Sequence, residues 1–466
     1  MGETKKNELA EKLLYAPKNG WDRLSESDAL AMDAYCEDYK VFLDRGKTER
    51  LCVDYCVELA EEKGFKPYEP GMELSAGDKV YVNNRGKGIM LAVIGSEPLS
   101  AGANIGAAHT DSPRLDLKPR PLYEEAELAY FKTHHYGGIR KYQWVTVPLA
   151  LHGVVVLADG TARTVHIGED PGEPQFIIND LLPHLGREQS KKPLSEAIPS
   201  ESLNVLIGSK PFADEDVKNR FKLGVLQLLH EKYGITEEDF ISAELEIVPA
   251  GKSSDVGFDR SFISGYGHDD RVCAYAELAA IFDARAPKKT AVCIFADKEE
   301  IGSEGVSGMK SAVFDKFMGE LCASQGVSLA DCFAHSFCVS ADVTAAYDPN
   351  YADVYDQKNA AFINYGVGLC KYTGSGGKSG ASDASAEVVG KLRRLLNDNE
   401  VFWQMSELGK TDAGGGGTVA KYMAERNIDT IDAGVPVLSM HAPRETVAKI
   451  DCYMTYKMMR VVFEQA

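Results

Sequence analysis

Ala291-Val-Cys-Ile-Phe-Ala296-Asp-Lys-Glu299-Glu300-Ile-Gly302 sets an unbroken apolar run of strand length directly before two adjacent carboxylates. Such a run, bounded by charge, reads as a strand buried on both faces of a parallel sheet. The carboxylates then fall at the strand's C-terminal end, where open α/β sheets build their sites. A solvated helix start is the bland alternative, since Glu is favoured near a helix N-terminus. Working outward, Val272–Phe282 reads as helix, His335–Ala341 as strand, Ser385–Leu396 as helix and Val435–Ser439 as strand. That alternation predicts an α/β sheet.

Toward the N-terminus, Leu30–Leu43 and Leu51–Ala60 space their apolar residues as helices, and Gly64 stops the second. Lys79–Val82 and Ile89–Ile94 flank the turn Asn83–Gly88, and a third strand, Ala103–Ala108, ends at His109. From Arg114 to Ala250 the pattern changes to alternating or β-branched runs such as Tyr142–Val147, Gly153–Leu157 and Thr164–Ile167. One helix is expected there, Glu215–Tyr233, with Phe221, Val225, Leu228 and Leu229 on one face. The expected division is a catalytic domain in two segments, 1–113 and 251–466, interrupted by an inserted β-rich domain, 114–250. A length of 466 residues, enough for about two to three domains, agrees with it.

Composition narrows the partners. With 44% apolar and 26% charged residues the chain is an ordinary globular one, not a disordered or collagenous one. A net charge of -19 argues against nucleic acid and anionic membranes. The longest apolar stretch, Val145–Ala158, is broken by Pro148 and His152 and is shorter than the roughly 20 residues of a membrane span. It is expected to be a buried strand pair. The ten cysteines are scattered without a CxxC pair, and Met1–Lys6 leads into no apolar signal region, so a reducing cytoplasm is expected.

Four more fragments end short apolar runs in metal-ligating residue types: Ala108-His109-Thr-Asp111-Ser-Pro113, Gly267-His-Asp269-Asp270-Arg, Cys338-Val-Ser-Ala-Asp342 and Pro436-Val-Leu-Ser-Met-His441. Each is ordinary by itself, because a strand-end His is more often structural. Together with the Glu pair they supply the ligands for two divalent ions. Adjacent Glu299 and Glu300 can divide the work, one coordinating and one taking a proton from water. Two decoys stand nearby. Thr373-Gly-Ser-Gly-Gly-Lys378-Ser379 looks like a phosphate loop, which would make a nucleotide-binding protein, but Tyr372 stands where the pattern needs Gly. Cys332, His335 and Cys338 have metal-like separations that cannot converge from one element, and buried thiols are the expected reading.

The set His109-Thr-Asp111-Ser-Pro113, Asp269-Asp270, Glu299-Glu300-Ile-Gly-Ser303, Ser340-Ala-Asp342 with Pro349-Asn-Tyr351, and Leu438-Ser-Met-His441 resembles the aspartyl aminopeptidase family, of aminopeptidase I type with bacterial members. The resemblance runs from about Leu30 to Val462. It implies a zinc-exopeptidase-like α/β catalytic domain with a β-rich lid or dimerisation domain, and a hydrolase that removes the N-terminal residue of peptides. It also implies two divalent ions per subunit, zinc first and Co or Mn next. Asp269 would bridge both, His109 and Asp342 would complete one, and Glu300 and His441 the other. Glu299 would be the general base for a metal-activated water, and Asp111 would orient His109. Dimers assembling into a tetrahedral dodecamer are implied too.

Departures from the family pattern bear on specificity. Asp342-Val-Thr-Ala345-Ala-Tyr-Asp348-Pro-Asn350 has Ala345 and Asp348 where family members carry histidines. A lid histidine is expected near Asn179, and His184 is the nearest candidate; Lys371 lies about where a lysine meets an acidic substrate side chain. An Asp/Glu preference is thus implied by Lys371 and opposed by the missing histidines. The competing readings are a same-fold amidohydrolase acting on acylated amino acids and a metal-binding shell protein without turnover.

Overall fold

The computed structural model describes residues 8–466, so Met1–Lys6, read above for targeting signals, lies outside the described residues. The described residues build three sheets. The largest has nine strands in the order Lys66–Pro67, Lys79–Asn84, Gly88–Val93, Thr290–Ala296, Ala103–His109, Phe337–Ser340, Asp429–Gly434, Val367–Cys370, Trp403–Met405. Its centre is parallel: Ala103–His109 pairs with Thr290–Ala296 on one side, Ala296 opposite His109, and with Phe337–Ser340 on the other. Three C-terminal strand ends are therefore held level at one edge of the sheet, the position in which α/β proteins assemble sites.

Every residue of Thr290–Ala296 is buried, as a strand covered on both faces must be. Alternate side chains serve different cores. Ala291, Cys293 and Phe295 face the side packed by the helices His268–Asp283 and Lys449–Gln465. Val292, Ile294 and Ala296 face the side packed by Val313–Ser324 and Ala420–Glu425. The helix Glu26–Arg45 begins at Ser25, whose hydroxyl accepts the Asp28 N–H, and packs outside His268–Asp283.

The second sheet is antiparallel, ordered Ala162–Ile167, Leu149–Val156, Ala243–Pro249, Arg114–Glu125, Leu128–Tyr136, Val205–Gly208. It encloses its own apolar cluster, including Leu115, Phe131, Trp144, Leu151 and Ile247. A third sheet joins Ser254–Val256, Phe262–Gly265, Glu445–Ala448, Pro436–Leu438 and Thr344–Ala345.

Several expectations need correcting. Val145–Ala158 holds one strand, Leu149–Val156, instead of a pair. Tyr142–Val147 is a 3-10 turn and a bend, because Thr146 adopts a φ of 61° and Pro148 has no N–H to give a ladder. The expected Glu215–Tyr233 helix starts only at Arg220, after Asn219 in a left-handed conformation. Leu228 points to solvent at 65% exposure, while Leu226 and Leu229 pack on the sheet. His335 caps the helix Leu329–Ala334, so the strand expected from His335 begins at Phe337. All ten cysteines are free and buried, Cys332 and Cys338 among them. Among the described residues no helix is long and apolar enough to cross a membrane.

Candidate metal centre

His109 ends the central strand, and its imidazole is fixed from behind. Nδ1 lies 3.0 Å from the backbone carbonyl of Asp111 and donates to it in the tautomer that leaves Nε2 a free lone pair. Nε2 lies 3.2 Å from Asp269 Oδ1 and 3.9 Å from both Asp342 Oδ1 and Glu299 Oε2. Asp269 turns its other oxygen, Oδ2, to His441 Nε2 at 3.1 Å, and Glu300 Oε1 lies 3.6 Å from that same nitrogen. One carboxylate thus spans two imidazoles, each with a further carboxylate beside it. His109, Asp269 and Glu300 offer ligand atoms within 4.8 Å of one another, and so do His109, Asp270 and Asp342. Asp270, which follows a cis peptide bond, also accepts the His109 backbone N–H at 3.3 Å.

The turn that carries the Glu pair is shaped by its ends: Lys298 and Gly302 both sit in the left-handed region around the 3-10 turn Glu299–Ile301. Asp111 then ties this turn to the His109 strand. Its Oδ1 accepts the Glu299 N–H at 3.1 Å, and its Oδ2 accepts the Glu300 N–H at 3.2 Å and the Tyr136 hydroxyl at 2.8 Å. Tyr136 closes the strand Leu128–Tyr136 of the six-stranded sheet, with the Arg114 guanidinium 3.9 Å over its ring. Two residues on, the Gly138 carbonyl accepts the His441 Nδ1–H at 2.8 Å. Gly137 between them has a φ of 71°, and a Cβ there would come within 3.2 Å of Glu300.

The electrostatics follow from burial. Desolvation pushes Glu300 and Asp342 well above the usual carboxylate range and Glu299 up to about 7, Asp111 and Asp269 adding repulsion at Glu299. Burial acts on Asp269 in the same sense, but hydrogen bonds from His109 and His441 hold its carboxyl well below that range. Burial opposes charge on His441, yet Asp269 and Glu300 raise it to about 10. Glu300 Oε1 and Asp270 Oδ1 are buried with no hydrogen-bond partner. Unpaired carboxylate oxygens converge there with the Nε2 atoms of two imidazoles, whose protons stand where a cation would bind; the cluster calls for positive charge, and borderline N/O donors suit zinc.

Sequence reading misses Glu445, which is 1% exposed and accepts the Asp269 N–H at 3.0 Å and the His441 N–H at 2.7 Å. It also misses Ser112, whose hydroxyl donates to the Asp269 carbonyl at 2.6 Å. A lone Glu inside a strand carries no signal at a distance, and Ser112, although inside the His109–Pro113 fragment, is not of a metal-ligating type.

A cleft of about 400 Å³ opens over the cluster, lined by Glu299, Asp342, Thr344, Cys370, Met440 and Lys421 among others. Two expected substrate residues do not join it. The Lys371 amine is bound 2.6 Å from Asp383, and Lys371 is absent from the lining. His184 is exposed on a turn of the segment after Ala162–Ile167 and is likewise absent from it. Asp348 caps the 3-10 helix Pro349–Val354 by accepting the Asn350 N–H, and Ala345 pairs with Val437. The supposed phosphate loop is no such thing: Lys378 pairs with Asp383 at 2.9 Å and the next helix starts only at Ala386.

Comparison with known proteins agrees with this geometry. The family model for the aminopeptidase I zinc metalloproteases, M18, matches residues 42–463. A probable M18 family aminopeptidase 1 of Clostridium acetobutylicum is 48% identical over 451 residues, covering 95% of this chain and 97% of its own. The solved M18 aminopeptidase of Thermotoga maritima is 43% identical with a TM-score of 0.94, covering 97% of this chain and all of that one. The S. cerevisiae mApe1 dodecamer shares the fold at a TM-score of 0.76 and 21% identity, over 93% of this chain and 97% of that one. Since the family match runs through every residue of the cluster and the similarity extends nearly end to end, the chain belongs to the M18 peptidases, the aminopeptidase I zinc metalloproteases, and is a metallo-aminopeptidase.

Proposed function

We propose that the enzyme works with two metal ions per subunit and releases the N-terminal residue of peptides. The observation that carries this is the Asp269 carboxylate, which turns one oxygen to His109 and the other to His441, at 3.2 and 3.1 Å. Asp269 would bridge; His109 and Asp342 would complete one site, Glu300 and His441 the other. Divalent ions held there supply Lewis acidity toward the scissile carbonyl and acidify water. Glu299, beside the cluster and held by its own N–H to Asp111, takes the proton of the attacking water and returns it to the leaving amine. Asp111 positions His109, and the carboxylates of the cleft receive the substrate's free α-ammonium. An acidic preference acting through Lys371 has no support, since that amine is already neutralised by Asp383.

The six-stranded sheet would serve as lid and dimerisation domain, and the dodecamer of the yeast relative supports a tetrahedral dodecamer here. Ten buried free thiols fit a reducing cytoplasm, and a net charge of -19 disfavours nucleic acid. The test is hydrolysis of peptides with free and with N-acetylated termini, by the parent protein and by Glu299→Gln, with and without chelator. We expect turnover only of free amines, lost with chelator and with Glu299→Gln. Equal turnover of acetylated peptides would overturn the reading in favour of an acyl-amino-acid hydrolase, and binding of metal without any turnover would favour a shell protein.

A further inference from the structure

The glycine-rich loop after Thr373 and a second glycine stretch, Gly414–Gly417, meet beside the cleft. Gly414 and Gly415 press against the neighbouring loops so closely that a Cβ at either would fall 1.6 Å from the Leu408 carbonyl oxygen or 2.4 Å from that of Gly374. Their contact walls a second cavity of about 380 Å³. Tyr372, Thr373, Leu408 and Gly415 line both this cavity and the catalytic cleft, so the two adjoin as neighbouring compartments of one trough. Together they exceed any single amino-acid side chain. A peptide continuing past the scissile bond has the length to fill both.

Apart from the carboxylates of the metal cluster and Glu407, the charged residues lining the trough are a histidine of that cluster and lysines, in a chain of net charge -19. Lys421 lines the catalytic end, and Lys378 and Lys410 line the far end. Lys378 is paired with Asp383 and lies 3.8 Å over the Tyr372 ring. Lys421 lies 4.8 Å over the Tyr422 ring, and Lys410 acts on Asp356 only from beyond ion-pair range. Among the described residues neither Lys410 nor Lys421 has a carboxylate within 4.0 Å. The one acid lining the far cavity, Glu407, is engaged by the Tyr372 hydroxyl.

We infer that this trough is an extended subsite for the peptide downstream of the scissile bond, and that Lys410 and Lys421 select peptides bearing carboxylates there. The inference rests on the aminopeptidase reading above but concerns residues that reading does not use. The carboxylate can belong to an acidic side chain or to the peptide's own C-terminus. Three probes separate them: Leu-Gly-Gly-Gly-amide, Leu-Gly-Asp-Glu-amide and Leu-Gly-Gly-Gly with a free C-terminus. Exposed ion pairs are each worth about threefold, so two lysines should favour a carboxylate-bearing peptide by about tenfold in kcat/KM. The preference should shrink in about 1 M salt, where the screening length is roughly 3 Å.

In the Lys410→Ala/Lys421→Ala protein the ratio of charged to neutral peptide should fall to about one, and in Lys410→Glu/Lys421→Glu it should invert. Preference for the acidic amide assigns the trough to side chains, and preference for the free C-terminus alone assigns it to the terminal carboxylate; either supports the inference. A ratio near one in the parent protein, or one that survives both substitutions, overturns it. Glu299-dependent turnover of the neutral amide reports the aminopeptidase reading separately. Affinities of the metal-loaded Glu299→Gln protein for the same peptides report the trough without turnover.

Discussion

Tyr136→Phe removes a single oxygen from the metal centre and leaves its surroundings in place. The phenol donates to Asp111 Oδ2 at 2.8 Å, while the ring stays under Arg114 at 3.9 Å, so packing and the cation–π contact are retained. A hydrogen bond to a buried charged acceptor is worth about 1.5–3 kcal/mol. Asp111 Oδ2 keeps the Glu300 N–H at 3.2 Å and Oδ1 the Glu299 N–H at 3.1 Å, so it is not stranded and the lower end applies. Because the Asp111 carboxylate also holds Oδ1 3.4 Å from His109 Nδ1, the loss should appear as about tenfold weaker zinc affinity, within the range that outer partners of metal ligands contribute. The assay is competitive zinc titration against a chromogenic chelator, with kcat and KM on a leucine amide alongside. We expect weaker zinc binding and lower kcat with KM little changed. Zinc affinity and kcat within twofold of the parent would refute the view that the Tyr136 hydroxyl holds Asp111 for His109.

Other expected outcomes follow from the same geometry. Glu299→Gln should lower kcat by about 10²–10⁴-fold while zinc stoichiometry is unchanged, and normal turnover would remove Glu299 as the base. Chelation should abolish activity and lower the unfolding temperature, because the buried acids Asp269, Glu300 and Asp342 then lose the positive charge that offsets their desolvation; zinc should restore both, and an unaffected unfolding temperature would contradict this electrostatic account. Gly434→Ala places a Cβ 2.1 Å from the Asp342 carbonyl oxygen, so overpacking of about 1–3 kcal/mol and reduced turnover should appear together; loss of neither would show that the loop yields freely. Asp451 is fully buried and burial raises its carboxyl to about 7, the Asn364 and Gly366 N–H donors only partly offsetting it. Its native form holds a proton that the unfolded chain releases near pH 4, so its contribution to stability declines as pH rises from about 4 to about 7. Unfolding midpoints of Asp451→Asn should be flatter over that window than those of the parent, and parallel curves would refute the assignment.

Residues that announce themselves do so by where a strand stops. Ala291–Ala296 feeding Glu299-Glu300 and Ala103–Ala108 feeding His109 were readable because apolar runs have a length and the residue after them has a chemistry. The five expected ligands converge for that reason. What stayed hidden works through backbone groups or arrives from far along the chain: Glu445 holds two N–H groups of Asp269 and His441, and Tyr136 comes from a different sheet. Alternation likewise failed where one residue's backbone overrode it, as Thr146 did in the stretch expected to be a strand. Family spacing misplaced Lys371, since a lysine's position in sequence does not say that Asp383 will claim its amine.

The contacts from Tyr136 and Gly138 set limits on how this enzyme can be rebuilt or divided. A minimal version made by cutting out the six-stranded sheet and rejoining the flanks would lose a hydroxyl from Asp111 and a carbonyl from His441 at one stroke. Grafting another sheet in its place faces the same requirement: the replacement must deliver a phenol and a glycine carbonyl two residues apart to the metal centre. The nine-stranded and six-stranded sheets are therefore interlocked at the metal cluster, and natural variation in the six-stranded sheet should be freest at the strands farthest from that corner.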